Sequence, residues 1–187
     1  MELNKKLLET IKNLPKPILI GVSGFGGSGK SSMARKLGEA LGAPIVGVDS
    51  FQKKGAFDTK FSLWEIMDYK RLEKEVLEPF SKQEDINYAH FDASKDMISH
   101  TVEVKNTEML VIEGVGLFRP ELLKYFTYKI WVDVPIEEAI IRGKKRDREE
   151  YGNPTDELWD GTWKENDLEY YDKFRPNEVA DVIIKNY

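Results

Sequence analysis

The chain reads as an α/β protein, a three-layer α/β/α sandwich around a five-stranded parallel sheet. Three observations predict this. Five short apolar runs lack the polar alternation of a half-solvated strand, so both faces of each must be covered. Helix-period segments separate these runs, as crossovers between parallel strands require. The length of 187 residues, 41% of them hydrophobic and 33% charged, suits one domain with its own core.

The elements follow in order. Leu3, Leu7, Ile11 and Leu14 recur at helical intervals and predict an amphipathic first helix. That spacing is unlike the continuous apolar core of a signal peptide. Residues 18–23 are the first strand. Residues 31–41 read as a helix lined by Met33, Leu37 and Leu41, with Gly42 placed to end it. Residues 45–49 are the second strand, and Tyr69, Leu72, Val76 and Phe80 line a further helix. Residues 85–107 break the rhythm. Tyr88, His90, Phe91 and Asp92, then the alternating Thr101-Val102-Glu103-Val104, predict a strand pair or cover rather than a sheet-building unit. Strands at 109–113 and 129–133 come next. Pro135, Glu137 and Glu138 then open a helix, with proline in its first turn and acids at its positive end. Residues 142–163 are charge-rich and hold Gly152, Asn153 and Pro154, which predicts a mobile flap. Residues 181–184 are the last strand. No repeat interrupts this plan, so residues 1–187 are expected to form a single domain.

Bulk properties exclude several classes of function. A net charge of −5 gives no basic field for nucleic acid. No stretch approaches the roughly 20 apolar residues of a membrane span. Cysteine is absent, which fits a reducing compartment, and a cytoplasmic location is expected. His90 and His100 are the only histidines and lack metal-ligand spacing, so no zinc site is expected.

The chemistry starts at residues 24–31, Gly24-Phe25-Gly26-Gly27-Ser28-Gly29-Lys30-Ser31, which read G-x-x-x-x-G-K-S. An apolar strand precedes them and a helix follows. In that setting backbone N–H groups and the positive helix end converge on phosphate oxygens. These eight residues with Ser32 are the candidate binding set for a nucleoside triphosphate. Lys30 reaches the β- and γ-phosphates, and Ser31 holds Mg²⁺. Phosphoryl transfer further needs charge neutralisation, alignment and a base. Glu113, ending an apolar strand before Gly114, suits a Mg²⁺ contact. Asp49, ending the second strand, suits a general base for an acceptor hydroxyl. Asp133 suits capping or loop anchoring. Arg142 and Arg146 lie four residues apart on one helix face, where they could close over the phosphates. The Asn-Lys-x-Asp signature that reads guanine is missing, which argues against a GTPase switch. His90, between Tyr88 and Phe91, suits a substrate ring.

Taken together these motifs resemble the uridine kinase and phosphoribulokinase family of P-loop kinases. The matching pieces are Gly21-Val22-Ser23-Gly24, Val48-Asp49-Ser50-Phe51, Val111-Ile112-Glu113-Gly114, Val132-Asp133-Val134-Pro135, the run from Arg142 to Asp147, and Ala180-Asp181-Val182-Ile183-Ile184. The resemblance implies a P-loop nucleoside triphosphate hydrolase/kinase fold and ATP- and Mg²⁺-dependent phosphorylation of a hydroxyl on a nucleoside or similar small molecule. It implies Asp49 as base, a lid at about 142–163 carrying the arginines, and an acceptor-binding insertion at about 85–107. Asp49, Phe51, Tyr88 and His90 are then the expected acceptor contacts. The sequence departs from uridine kinases at Gln52, where tyrosine is usual, and after Asp92, where no arginine follows. Pantothenate-like alcohols and sugars therefore join nucleosides as candidate acceptors. A non-catalytic ATP-binding sensor with a degenerate acceptor site is the alternative reading.

Overall fold

The computed structural model describes residues 4–55, 61–150, 152 and 155–187. Helix α1 (Lys5–Lys12) starts where the Asn4 side chain accepts from the Lys6 amide, and it buries Leu7 and Ile11. Leu3 of the predicted stripe lies outside the described residues, as do Asn153 and Pro154 of the expected flap. Strand β1 (Ile18–Gly24) is buried along its whole length. It feeds α2 (Lys30–Leu41), which Gly42 ends at φ +64° with its N–H on the Gly38 carbonyl.

Strand β2 (Ile45–Gly47) corrects the expected 45–49 run. It pairs with β5 (Met109–Glu113) only as far as Gly47 opposite Glu113. Val48 thus has no ladder partner, and the chain tightens into a 3₁₀ turn, Val48–Phe51, that carries Asp49. Next, α3 (Tyr69–Leu72), a π turn at Glu73–Leu77 and α4 (Glu78–Ser81) run on without a break, burying Tyr69, Leu72, Val76 and Phe80. Pro79 has no N–H to give the preceding turn, and the wider π register lies just upstream of it.

The predicted strand pair forms from β3 (Ile86–Asp92) and β4 (Met97–Val104), antiparallel, with a bulge between His90 and Phe91. After β5 come α5 (Pro120–Leu123), β6 (Tyr128–Asp133) and α6 (Ile136–Glu149). The chain closes with α7 (Asp156–Asp160), α8 (Thr162–Phe174), α9 (Pro176–Val179) and β7 (Val182–Lys185).

The five-stranded sheet has the order β2-β5-β1-β6-β7, and every pairing is parallel. Alternate residues of its apolar strands supply two cores. Ile18, Ile20, Val22, Val111 and Ile130 pack with Ile11, Met33 and Leu37 on one face. Leu19, Leu110, Ile112 and Trp131 pack with Phe118, Leu122 and Tyr170 on the other. Each buried Leu or Ile contributes about 1.5–3 kcal/mol over leaving it exposed, which is what binds the three layers. Because β1 lies between β5 and β6, strand order reverses at β1. A crevice therefore opens above its carboxyl end, where ligands sit in sheets of this kind.

Candidate active site

Residues 24–31 turn the end of β1 into the start of α2. Phe25 is buried, edge-on to Trp131 at a centroid distance of 5.5 Å, and fixes the loop's first corner. Gly27 at φ +77° and Gly29 at φ +93° occupy the left-handed region that side chains avoid. A Cβ on Gly27 would stand 2.0 Å from the Ala139 carbonyl oxygen of α6. Gly29 is the N-cap of α2 and offers no side-chain oxygen to the first helical amides. Those donors are left for an anion. The Ser28 hydroxyl is buried without a protein partner, and Asn186 donates its side-chain N–H to the Ser28 carbonyl at 2.9 Å, supporting the loop from behind. These features fit a polyphosphate.

Lys30 Nζ lies 3.5 Å from the Phe25 carbonyl oxygen, folded over the loop. Ser31 Oγ donates to Glu113 Oε2 at 3.2 Å, so the two candidate Mg²⁺ contacts adjoin. Burial raises the Glu113 carboxyl above its ordinary range; Lys30 pulls it down and Asp49 pushes it up. Lys30, Asp49 and Arg146 face one cavity of about 710 Å³ together with Gly26 and Gly27.

Arg146 donates through Nε and Nη2 to Asp147 Oδ1 at 3.0 and 2.8 Å. Against the cost of its burial, hydrogen bonds from Thr155, Trp159 and Arg146 hold the Asp147 carboxyl below the ordinary range. Arg142 sits apart from the cavity. Its Nε donates to Glu138 Oε1 at 2.9 Å and its Nη1 to the Asn186 carbonyl at 2.7 Å, so it braces the chain end. The shared helix face of the two arginines does not bring both guanidinium groups to the cavity.

No family model matches the chain. A uridine kinase of Clostridium novyi is 29% identical over 184 residues, 90% of this chain and 87% of that protein. A uridine kinase of Borrelia duttonii is 26% identical over 184 residues, 89% of this chain and 85% of that protein. The structure of a possible uridine kinase from Bacillus stearothermophilus superimposes with a TM-score of 0.72 at 22% identity, covering 96% of this chain and 95% of the other. The chain is uridine kinase-like. Its fold is that of the P-loop kinases.

Within this uridine kinase-like fold the expected acceptor residues divide. Asp49 faces the cavity, but Phe51, Tyr88 and His90 do not line it. Phe51 is fully buried with its ring 5.3 Å from that of Tyr88. His90 Nδ1 is 2.9 Å from Ser50 Oγ, and its ring lies 4.9 Å from His100. Burial raises the Tyr88 hydroxyl, while its hydrogen bond to Ser50 lowers it. These three side chains support the turn beneath Asp49. The cavity wall is made instead by Gln52, Phe61, Trp64, Met67, Ser94 and Trp163.

The sequence reading also missed Asp167. Asp167 Oδ2 accepts from the Gly26 amide at 2.8 Å across 141 positions of chain. Trp159 fills the space that the missing side chains of Gly26 and Gly143 leave. The buried face of α8 holds the polar Asn166 and Asp167 beside Tyr170, so no apolar stripe marks it or the loop it meets. The short residues Gly26 and Gly143 were the one available sign that something large approaches there.

Proposed function

We propose that the protein is an ATP- and Mg²⁺-dependent small-molecule kinase that transfers the γ-phosphoryl group to a hydroxyl of a nucleoside or similar acceptor. One observation carries this reading: a single cavity joins the phosphate loop and Lys30 to a carboxylate, Asp49, and a guanidinium, Arg146. The uridine kinase relatives support it.

The amides of Gly27 and of residues 29–31, with the Lys30 ammonium, bind the β- and γ-phosphates. Ser31 and Glu113 hold Mg²⁺, which when bound neutralises phosphate charge; two protein oxygens suit an ion that keeps several waters. Asp49 takes the proton of the acceptor hydroxyl as its oxygen bonds to the γ-phosphorus. The bond from that phosphorus to the β–γ bridging oxygen breaks, and ADP leaves. Arg146 offsets the charge that develops, and the aromatic wall of Phe61, Trp64 and Trp163 holds the acceptor and excludes water.

The test is acceptor-stimulated ADP formation across nucleosides, pantothenate-like alcohols and sugars. One acceptor class is expected to raise the rate well above background hydrolysis. Asp49→Asn should keep nucleotide affinity within about threefold while lowering turnover about 10²–10⁴-fold. Lys30→Ala should lower turnover by about 10² or more. Nucleotide binding with no acceptor-dependent ADP from any class would overturn the kinase reading.

A further inference from the structure

One carboxylate buried behind the cavity wall takes no part in the proposed transfer. Asp167, on α8, is 2% exposed. Its Oδ2 accepts from the Gly26 amide at 2.8 Å and its Oδ1 from the Trp64 indole N–H at 2.9 Å. Gly26 belongs to the phosphate loop and Trp64 to the acceptor wall, so a single side chain ties the two halves of the cavity together.

Its neighbours on α8 do a different job. Asn166 accepts from the Trp64 amide at 2.7 Å and donates to the Phe61 carbonyl at 3.0 Å. Glu169 accepts from the Ser62 hydroxyl at 2.7 Å, and Tyr170 from the Phe118 amide at 2.7 Å. The Asn166 and Glu169 bonds hold the wall segment to the helix without Asp167, and the Tyr170 bond ties the helix to the core at Phe118. Only Asp167 continues to the loop among these four.

The charge on this carboxylate is poorly matched. Both of its donors are neutral N–H groups. Lys30 is the charged group acting on it from α2, and Tyr170 is its titratable neighbour on α8, kept neutral because burial raises its hydroxyl far out of range. Trp159 of α7, which approaches across Gly26, turns its own N–H to Asp147 instead. A buried carboxylate without a contacting cation favours its neutral form.

We propose that Asp167 is the positioning residue of the phosphate loop: its carboxylate fixes the Gly26 amide against the Trp64 wall and takes up a proton as a nucleotide brings its phosphates to the loop. This rests on the reading of residues 24–31 as the nucleotide site. Burial lifts the carboxyl to about 7, against the pull of Gly26, Lys30 and Trp64. Phosphate charge on the far side of the Gly26 amide disfavours the ionised form further, so binding and protonation reinforce each other.

Calorimetric titration of the whole protein with Mg·ATP, from pH 6 to 8 in two buffers of different ionisation enthalpy, tests this. For an upward shift of one unit on binding, Kd should weaken about fivefold over that range, with proton uptake near pH 7 to 8. Asp167→Asn should lose that component; the nucleotide's own ionisation is common to both proteins and cancels in the comparison. Trp64→Phe removes one donor to the carboxylate and keeps the Gly26 bond, so its linkage midpoint should move to higher pH. Equal pH dependence in wild type and Asp167→Asn would overturn the proposal while leaving the nucleotide site standing. No Mg·ATP binding by the wild type at any pH would overturn the site reading and the proposal with it. Should Asp167→Asn fail to fold, an unmoved midpoint in Trp64→Phe overturns the proposal alone.

Discussion

Gly27 sets the tolerance of the site at the scale of single atoms. Its φ of +77° is one that a side chain adopts at a cost of about 1–2 kcal/mol, and its Cβ position falls 2.0 Å from the Ala139 carbonyl. Gly27→Ala must therefore push the loop off α6. We expect nucleotide affinity to fall at least about tenfold, together with a lower Tm. Gly42→Ala is the matched comparison: φ there is +64°, with nothing within 4 Å of the added carbon. It should lower stability by about 1 kcal/mol and leave nucleotide affinity unchanged. Calorimetry and thermal unfolding of both variants separate the strained backbone from the collision. The sequence made the loop legible because its chemistry lies in consecutive residues. Asp167 was illegible because its meaning lies in a contact across 141 positions.

At the scale of elements, period and punctuation predicted well where one face of a segment is buried locally. The stripe of Met33 and Leu37 with Gly42 after it became α2, and Tyr69, Leu72, Val76 and Phe80 became one buried helical face. The end of β2 escaped the sequence because β5 decides it, by ending opposite Gly47. The acceptor residues shifted for a similar reason. Tyr88 and His90 lie on β3, yet both reach Ser50, so the hairpin grips the turn that carries Asp49. Ser50→Ala should consequently lower kcat with little change in nucleotide affinity, as the turn loses both partners. A double-mutant cycle of Ser50→Ala with His90→Phe should give a coupling of about 0.5–3 kcal/mol in thermal or denaturant unfolding. Strict additivity would mean that the hairpin does not support the turn.

For the whole molecule, buried charge sets the response to pH. Hydrogen bonds from Arg71, outweighing burial and aided by the Ala89 amide, hold Glu75 below the ordinary carboxyl range. Asp147 is likewise held low. Their contributions to stability are present above the ordinary carboxyl range and are lost as pH falls through the lowered values. Asp167 runs the other way. With its carboxyl raised by burial to about 7, its contribution is fully present below about pH 4 and is lost as pH rises through about 7. The ligand-free protein should accordingly be most stable near pH 5, with a Tm that declines toward both pH 3 and pH 8. Asp167→Asn should flatten the alkaline side and leave the acidic side unchanged, since it removes the only group of the three that discharges a proton near neutrality. Mg·ATP at one fixed concentration, about 100 times the Kd at pH 8, should add about 2.7 kcal/mol at pH 8. In the wild type it should add about 1 kcal/mol more at pH 6, where binding is about fivefold tighter. Because the bound state keeps Asp167 protonated, that increment should pull the alkaline decline to higher pH in the wild type and leave the Asn variant's profile parallel to its ligand-free one. Thermal unfolding on a pH series of the two proteins, with and without Mg·ATP, decides it: parallel alkaline limbs in all four series would show that this carboxyl carries no proton into the folded state.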